Sequence, residues 1–165
     1  MSKRITGVLT AIVTPFDGQG EFNPAAMRQQ VQRQMSYGNG IFCNGTNGEF
    51  FVLHTDEKVA VTQTCVDEAA GKVPVVGHIG EISTRETIKL GKRIAALGVD
   101  AVSVITPYFI PLKQEELIAH YRAVADALTV PIFLYNIPAR TGNTLTPETV
   151  RSDPCLLYTS DAADE

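Results

Sequence analysis

Residues 101–108, Ala101-Val102-Ser103-Val104-Ile105-Thr106-Pro107-Tyr108, set a short apolar, β-branched run against a polar end. The same figure recurs at even spacing: Val8 to Val13, Gly40 to Cys43, Val73 to Ile79 and Pro131 to Tyr135. None of these runs alternates apolar with polar residues, as expected of a parallel strand buried on both faces. Helical patterns with recognisable starts lie between them. Asn23-Pro24 supplies a cap and a proline at the first helical position. Thr55-Asp56-Glu57 puts a cap and two acids at a positive helix end, and Ser83-Thr84-Arg85-Glu86 reads as a capping box. Leu117, Ile118, Tyr121, Val124, Ala125 and Leu128 form one apolar stripe that would pack on a sheet. Gly98 stands where a helix end needs a left-handed residue.

The chain is thus a βα repeat of roughly 30 residues per unit, which implies a parallel sheet with right-handed crossovers. Two architectures fit. Five strands could complete an open doubly wound, flavodoxin-like binding module, or form the first five units of an eight-unit barrel, which needs about 250 residues. Length favours the open sheet. The strand ends favour the barrel: Thr14, Thr46 and Asn47, His78, Thr106 and Tyr108, and Tyr135 and Asn136 all fall at or just past successive C-terminal ends. In a barrel those ends share one mouth, whereas an open sheet binds at a single switch point. Neither a GxGxxG after a strand nor a P-loop is present in the sequence.

Composition narrows the function classes. The 165 residues are 44% hydrophobic and 19% charged, with 14 Lys+Arg against 18 Asp+Glu and a net charge of −4. This excludes disordered and fibrous classes and leaves no basic footprint for nucleic acid or an anionic membrane. Expected partners are small molecules or other subunits. No apolar run approaches the roughly 20 residues of a membrane span, and no h-region follows Met1-Ser2-Lys3-Arg4, so a cytoplasmic protein is expected. Cys43, Cys65 and Cys155 lack metal or redox spacing and are expected as reduced thiols; no metal or cofactor is expected.

Gly45-Thr46-Asn47-Gly48-Glu49 and Tyr135-Asn136-Ile137-Pro138-Ala139-Arg140-Thr141-Gly142 carry a likeness, with support from Thr14-Pro15-Phe16, the Ser83–Thr87 helix start and Thr106-Pro107-Tyr108. From about Gly7 to Val150 the chain resembles the dihydrodipicolinate synthase and N-acetylneuraminate lyase family. These class I lyases and aldolases bind pyruvate or another 2-oxo acid as a Schiff base in a (β/α)8 barrel. The resemblance implies that Tyr135 relays protons at the imine, with Thr46 hydrogen-bonded to it. It also implies that the backbone N–H groups of Thr46 and Asn47 hold the substrate carboxylate, and that Arg140 meets an anionic group of the aldehyde. A phenol both donates and accepts, and a guanidinium engages a carboxylate bidentately. A homo-oligomer is implied, because the family borrows an aromatic across an interface. Two departures stand out: Asn47 replaces the synthases' second threonine, and Phe109 replaces the borrowed tyrosine. Phe cannot pass a proton, so the likeness leans toward other 2-keto acid aldolases, with true dihydrodipicolinate synthase as the alternative. For Glu49, orienting the loop and exposure as a plain acid are equally open, and His78 reads first as a structural residue.

The family's Schiff-base lysine stands on strand six, roughly 30 residues past Tyr135. The last lysine is Lys113, so the chain as written is expected to be inactive. Residues 1–154 read as the N-terminal part of a barrel. Residues 155–165, from Cys155-Leu156-Leu157-Tyr158 to Glu165, resemble one reading frame through a transposase-type sequencing-library adapter and read as a non-native tail. Asp161, Asp164 and Glu165 belong to that tail; without them the charge is −1.

Overall fold

A computed structural model describes residues 5–152. Cys155 and the expected adapter-derived tail at 155–165 lie outside the described residues, as do Met1 to Arg4. Five strands, β1 (Leu9–Ala11), β2 (Gly40–Cys43), β3 (Val75–His78), β4 (Ala101–Ile105) and β5 (Ile132–Tyr135), alternate with helices α1 (Pro24–Ser36), α2 (Thr55–Ala69), α3 (Thr84–Ala95) and α4 (Gln114–Ala127). Two short helices, α5 (Pro138–Thr141) and α6 (Pro147–Ser152), follow β5.

All pairings are parallel and the strand order is β1-β2-β3-β4-β5. Each strand therefore lies beside its predecessor, and the order nowhere reverses. A doubly wound sheet requires such a reversal at its switch point, so this topology excludes the flavodoxin-like alternative. It is the winding of a (β/α)8 barrel carried through five units.

One sheet face carries the helices. Ile12, Ile41, Cys43, Val75, Val102 and Val104 point to it and join Val31, Val61, Cys65, Leu90, Ile94, Leu117 and Val124 in the core. The other face is the barrel's inner side. Register places Phe42 beside Val76, Ser103 between His78 and Phe133, and Ile105 beside Tyr135 there. Gly77 sits on the helix face, where a Cβ would lie 2.8 Å from Ile94 Cγ2; the missing side chain lets α3 close on the sheet.

The helix starts follow the local chemistry, with two corrections. Asn23 caps α1 through its Oδ1, which accepts the Ala26 N–H at 3.1 Å. The expected cap Thr55 is instead the first residue of α2. His54 precedes it, because the Glu57 carboxylate reaches back to the His54 N–H at 2.7 Å. At α3 only half of the capping box forms: Ser83 accepts from the Glu86 N–H, while the Glu86 carboxylate turns to Arg85 and Lys89. Gly98 takes φ +87° just after α3. On α4, His120 joins the buried stripe of Leu117, Tyr121 and Val124. Among the described residues no helix is long and apolar enough to cross a membrane.

Replacing Asn23 with Ala removes the cap of α1 and is expected to lower stability by about 1 kcal/mol. Urea unfolding monitored by circular dichroism would read the change as a lower midpoint at unchanged slope.

Candidate active site

The β2–α2 turn is built by backbone geometry. Asn44 and Glu49 both take left-handed φ, +57° and +56°, so the chain curls tightly around Gly45-Thr46-Asn47-Gly48. A Cβ on Gly48 would lie 3.2 Å from the Asn44 nitrogen and 3.3 Å from the Ile12 oxygen, and the turn nests against the strand ends only because that atom is missing. Thr14, beyond β1, donates to the Gly48 carbonyl at 2.7 Å. Asn44 Nδ2 donates to the Lys58 carbonyl and to Thr62 Oγ1, each at 2.9 Å, which ties the turn to α2.

This turn delivers Thr46 to Tyr135. Thr46 Oγ1 and the Tyr135 hydroxyl are 3.1 Å apart, across 89 positions of sequence and the full width between β2 and β5. The Tyr135 ring is seated edge-to-face on Phe42 and His78, at centroid distances of 6.0 and 5.8 Å. Such pairs fix ring orientation and contribute about 0.5–1.5 kcal/mol each. Asn47 is exposed at the tip of the turn. Among the described residues, the N–H groups of Thr46 and Asn47 make no backbone hydrogen bond. Arg140 is exposed on α5, and among the described residues its side chain makes no ion pair or hydrogen bond, whether to Thr46, to Tyr135 or to any other residue. Glu49 is exposed too.

Three polar strand ends that the sequence places at the mouth are spent on the loops around it. Besides Thr14, Thr106 is fully buried and donates to Thr141 Oγ1 at 2.8 Å. Asn136 pairs with the backbone of Leu145, accepting its N–H at 3.0 Å and donating to its carbonyl at 3.3 Å. Asn143 completes this scaffold: its Nδ2 donates to the carbonyls of Pro107 and Ile110, at 2.7 and 2.9 Å, and its Oδ1 accepts the Leu112 N–H at 2.7 Å. The loop after β4 is thereby clamped to the loop after β5. Within the clamped loop Phe109 adopts φ +79° and is 88% exposed. A left-handed bulky residue is strained, so the clamp holds it there. Burial, with some help from the Glu81 charge, pushes the Tyr108 hydroxyl above its ordinary pKa.

A buried charge pair escapes a reading of strand ends alone. Lys58 in the first turn of α2 is buried and pairs with Glu81, just past β3, at 2.5 Å; its ammonium also lies 5.7 Å from the centre of the Phe50 ring. The signal was helical spacing: Lys58 shares the inward face with Val61, Thr62 and Cys65. A buried amine therefore exists, but it is on a helix and neutralised by a carboxylate. Among the described residues, none of the lysines stands at the C-terminal end of a strand.

His78 and His120 are also buried. Desolvation, with the Lys58 charge beside it, holds His78 at about 3, and desolvation holds His120 at about 4, both below the usual 6.5. Burial thus keeps both rings neutral.

A sequential half-barrel of βα units, with a hydroxyl pair and a glycine turn gathered at the strand C-termini, is the framework on which barrel enzymes build their sites. A sequence profile described as the dihydrodipicolinate synthetase family matches residues 4–153, and the chain belongs to that family. It is 41% identical over 143 residues to 4-hydroxy-tetrahydrodipicolinate synthase 1 of Halalkalibacterium halodurans, a match covering 86% of this chain and 48% of that protein. It is 36% identical over 154 residues to the N-acetylneuraminate lyase of Enterobacter sp. (strain 638), with 92% and 52% covered. Among solved structures, the chloride-inhibited dihydrodipicolinate synthase of Acinetobacter baumannii, complexed with pyruvate, superposes with a TM-score of 0.86 at 36% identity, over 89% of this chain and 51% of that one. The chain spans about half the length of the relatives it matches.

Both depressed histidines make the fold acid-sensitive. Each ring must stay neutral to remain buried but protonates freely when unfolded, so its contribution is complete above pH 6.5 and is lost as pH falls toward 4. Stability is expected to drop by up to about 1.4 kcal/mol per pH unit for each histidine below 6.5. Denaturant melts between pH 7 and 4.5 would check this, and His78→Phe should flatten the slope.

Proposed function

We propose that this chain is the N-terminal part of a class I, Schiff-base-forming lyase or aldolase that joins pyruvate or another 2-oxo acid to an aldehyde, or cleaves the adduct. The single observation that carries the reading is the 3.1 Å contact between Thr46 Oγ1 and the Tyr135 hydroxyl beside the glycine turn. A lysine amine condenses with the 2-oxo carbon and releases water. Loss of a proton from C3 then gives an enamine, whose carbon attacks the aldehyde. Each step moves a proton at the imine, and a phenol held by a threonine hydroxyl can both give and take one. The N–H groups of Thr46 and Asn47, without a backbone partner among the described residues, suit the substrate carboxylate, since the flanking Gly45 and Gly48 let backbone reach an anion. Arg140, exposed and without a partner among the described residues, suits an anionic aldehyde. Residues 1–154 act in this reading as barrel sequence, with 155–165 foreign to it. The nucleophile comes from a strand beyond β5, so the chain alone is inactive. The site is cytoplasmic and needs no metal or cofactor.

Oligomerisation belongs to the same reading. Phe51, Val52, Ile82, Phe109 and Ile110 are each at least half exposed on the loops after β2, β3 and β4, an apolar set suited to burial against a second copy.

With the complete reading frame expressed, borohydride in the presence of pyruvate should trap a covalent adduct on a lysine of a sixth strand. Tyr135→Phe should lower kcat/KM by about a hundredfold. A complete frame with no lysine on a sixth strand and no trapped adduct would sink the proposal. The substrate choice rests on Phe109. Condensation with aspartate semialdehyde should be slow in the natural sequence, and Phe109→Tyr should raise it by about tenfold or more. Efficient wild-type condensation with that substrate would instead make the enzyme a true dihydrodipicolinate synthase.

A further inference from the structure

The inner face of a parallel barrel is normally filled by branched apolar side chains. One layer here is not. His78 at the end of β3 and Ser103 on β4 are partners across the ladder, share the inner face, and are 1% and 4% exposed. Among the described residues neither ring nitrogen of His78 has a hydrogen-bond partner, and Ser103 sets its hydroxyl-bearing side chain beside it on the ladder. The ring is held rather than loose: Phe50, Tyr135 and Phe42 stand edge-on to it at 4.7, 5.8 and 6.3 Å. The Ser103 carbonyl accepts the Ile79 N–H at 2.9 Å and is near enough to the ring to favour its protonated form slightly. Above the ring the chain is Gly80, where a Cβ would fall 2.8 Å from His78 Nε2 and 2.7 Å from Ile105 Cγ2. The edge of the imidazole therefore faces a position that the sequence keeps free of side chain.

Leaving buried donors and acceptors unmet is costly, and buried polar groups in proteins are almost always paired with protein or with an ordered oxygen. The nearest charges, Lys58 and Glu81, neutralise each other. A neutral imidazole offers one N–H and one lone pair, and a serine hydroxyl offers both again, so this pair fits an uncharged oxygen that donates as well as accepts. A carboxylate or ammonium would be left without a countercharge.

We propose that His78 and Ser103 form a second polar binding position on the barrel's inner face, next to the Thr46–Tyr135 pair, that holds one hydroxyl-type oxygen: an ordered water, or a hydroxyl of the substrate's aldehyde part. The proposal rests on the aldolase reading for its kinetic consequence only. If the oxygen is the substrate's, the position selects hydroxylated aldehydes. If it is water, it supports the seat of the Tyr135 ring whatever the aldehyde.

The test uses the complete protein with pyruvate and two aldehydes, glyceraldehyde and propionaldehyde, in wild type, Ser103→Ala, His78→Phe and His78→Gln. One lost neutral hydrogen bond predicts a fall in kcat/KM of about threefold to tenfold for Ser103→Ala and His78→Phe, partly restored in His78→Gln. A fall confined to glyceraldehyde assigns the oxygen to the substrate, and an equal fall with both assigns it to water. Unchanged kcat/KM in Ser103→Ala and His78→Phe with both aldehydes would overturn the proposal. A spectrum of the wild-type protein labelled with 15N-histidine reads the position without any variant or turnover. Ring nitrogens at hydrogen-bonded shifts, with or without substrates, support it, and free-imidazole shifts in both states overturn it. Absence of a borohydride-trapped pyruvate adduct in wild type would count against the aldolase reading alone, since the nitrogen shifts stand apart from it.

Discussion

In a parallel sheet no strand chooses independently which of its side chains meet the helices. Register couples them: once Phe42 lies beside Val76, His78 beside Ser103 and Ile105 beside Tyr135, every second residue of four strands is committed to the inner face. A slip of one residue at β5 would turn Tyr135 to the helix side and bring Leu134 to the mouth. The Thr46–Tyr135 contact is thus a readout of three successive ladders. What enforces register is the helix face, where Ile41, Cys43, Val75, Val102 and Val104 must all be covered.

That coupling explains what was legible in the sequence. Gly40–Cys43 and Ala101–Ile105 stand as strands with the bounds their apolar runs suggest, and Gly98 takes the left-handed turn its position requires. These are local effects, set by β-branching and backbone sterics. Strand order was open because periodicity says only that strands are parallel. The sequential winding follows from where each crossover lands, a tertiary fact. The site divides the same way. Thr46 and Tyr135 stood out because they lie in the motifs that carry the family resemblance, and the structure sets their hydroxyls 3.1 Å apart. Lys58 and Ser103 did not, because burial of a polar residue depends on partners from distant strands and helices. Thr106 and Asn136 look like Thr46 in sequence, yet their polar atoms go to the loop after β5, to the Thr141 hydroxyl and the Leu145 backbone.

The electrostatics of the site are arranged by burial more than by net charge. Lys58 and Glu81 pair with each other in the neighbourhood of His78, and the ring stays neutral because its buried, aromatic surrounding disfavours a second cation. The strand ends therefore bring the Thr46–Tyr135 hydroxyl pair beside a buried, uncharged imidazole.

Asn143 has a consequence beyond the loop it holds. With three hydrogen bonds to Pro107, Ile110 and Leu112, it welds the segment bearing Tyr108 and Phe109 to the segment bearing Arg140. The two loops are one mechanical part. Selection, natural or in the laboratory, cannot tune the aromatic pair without also shifting the arginine, so changes in the first loop will be tolerated mainly when they arrive with changes in the second. Sequence drift around this mouth should proceed in paired steps, with Asn143 as the hinge pin of the pair.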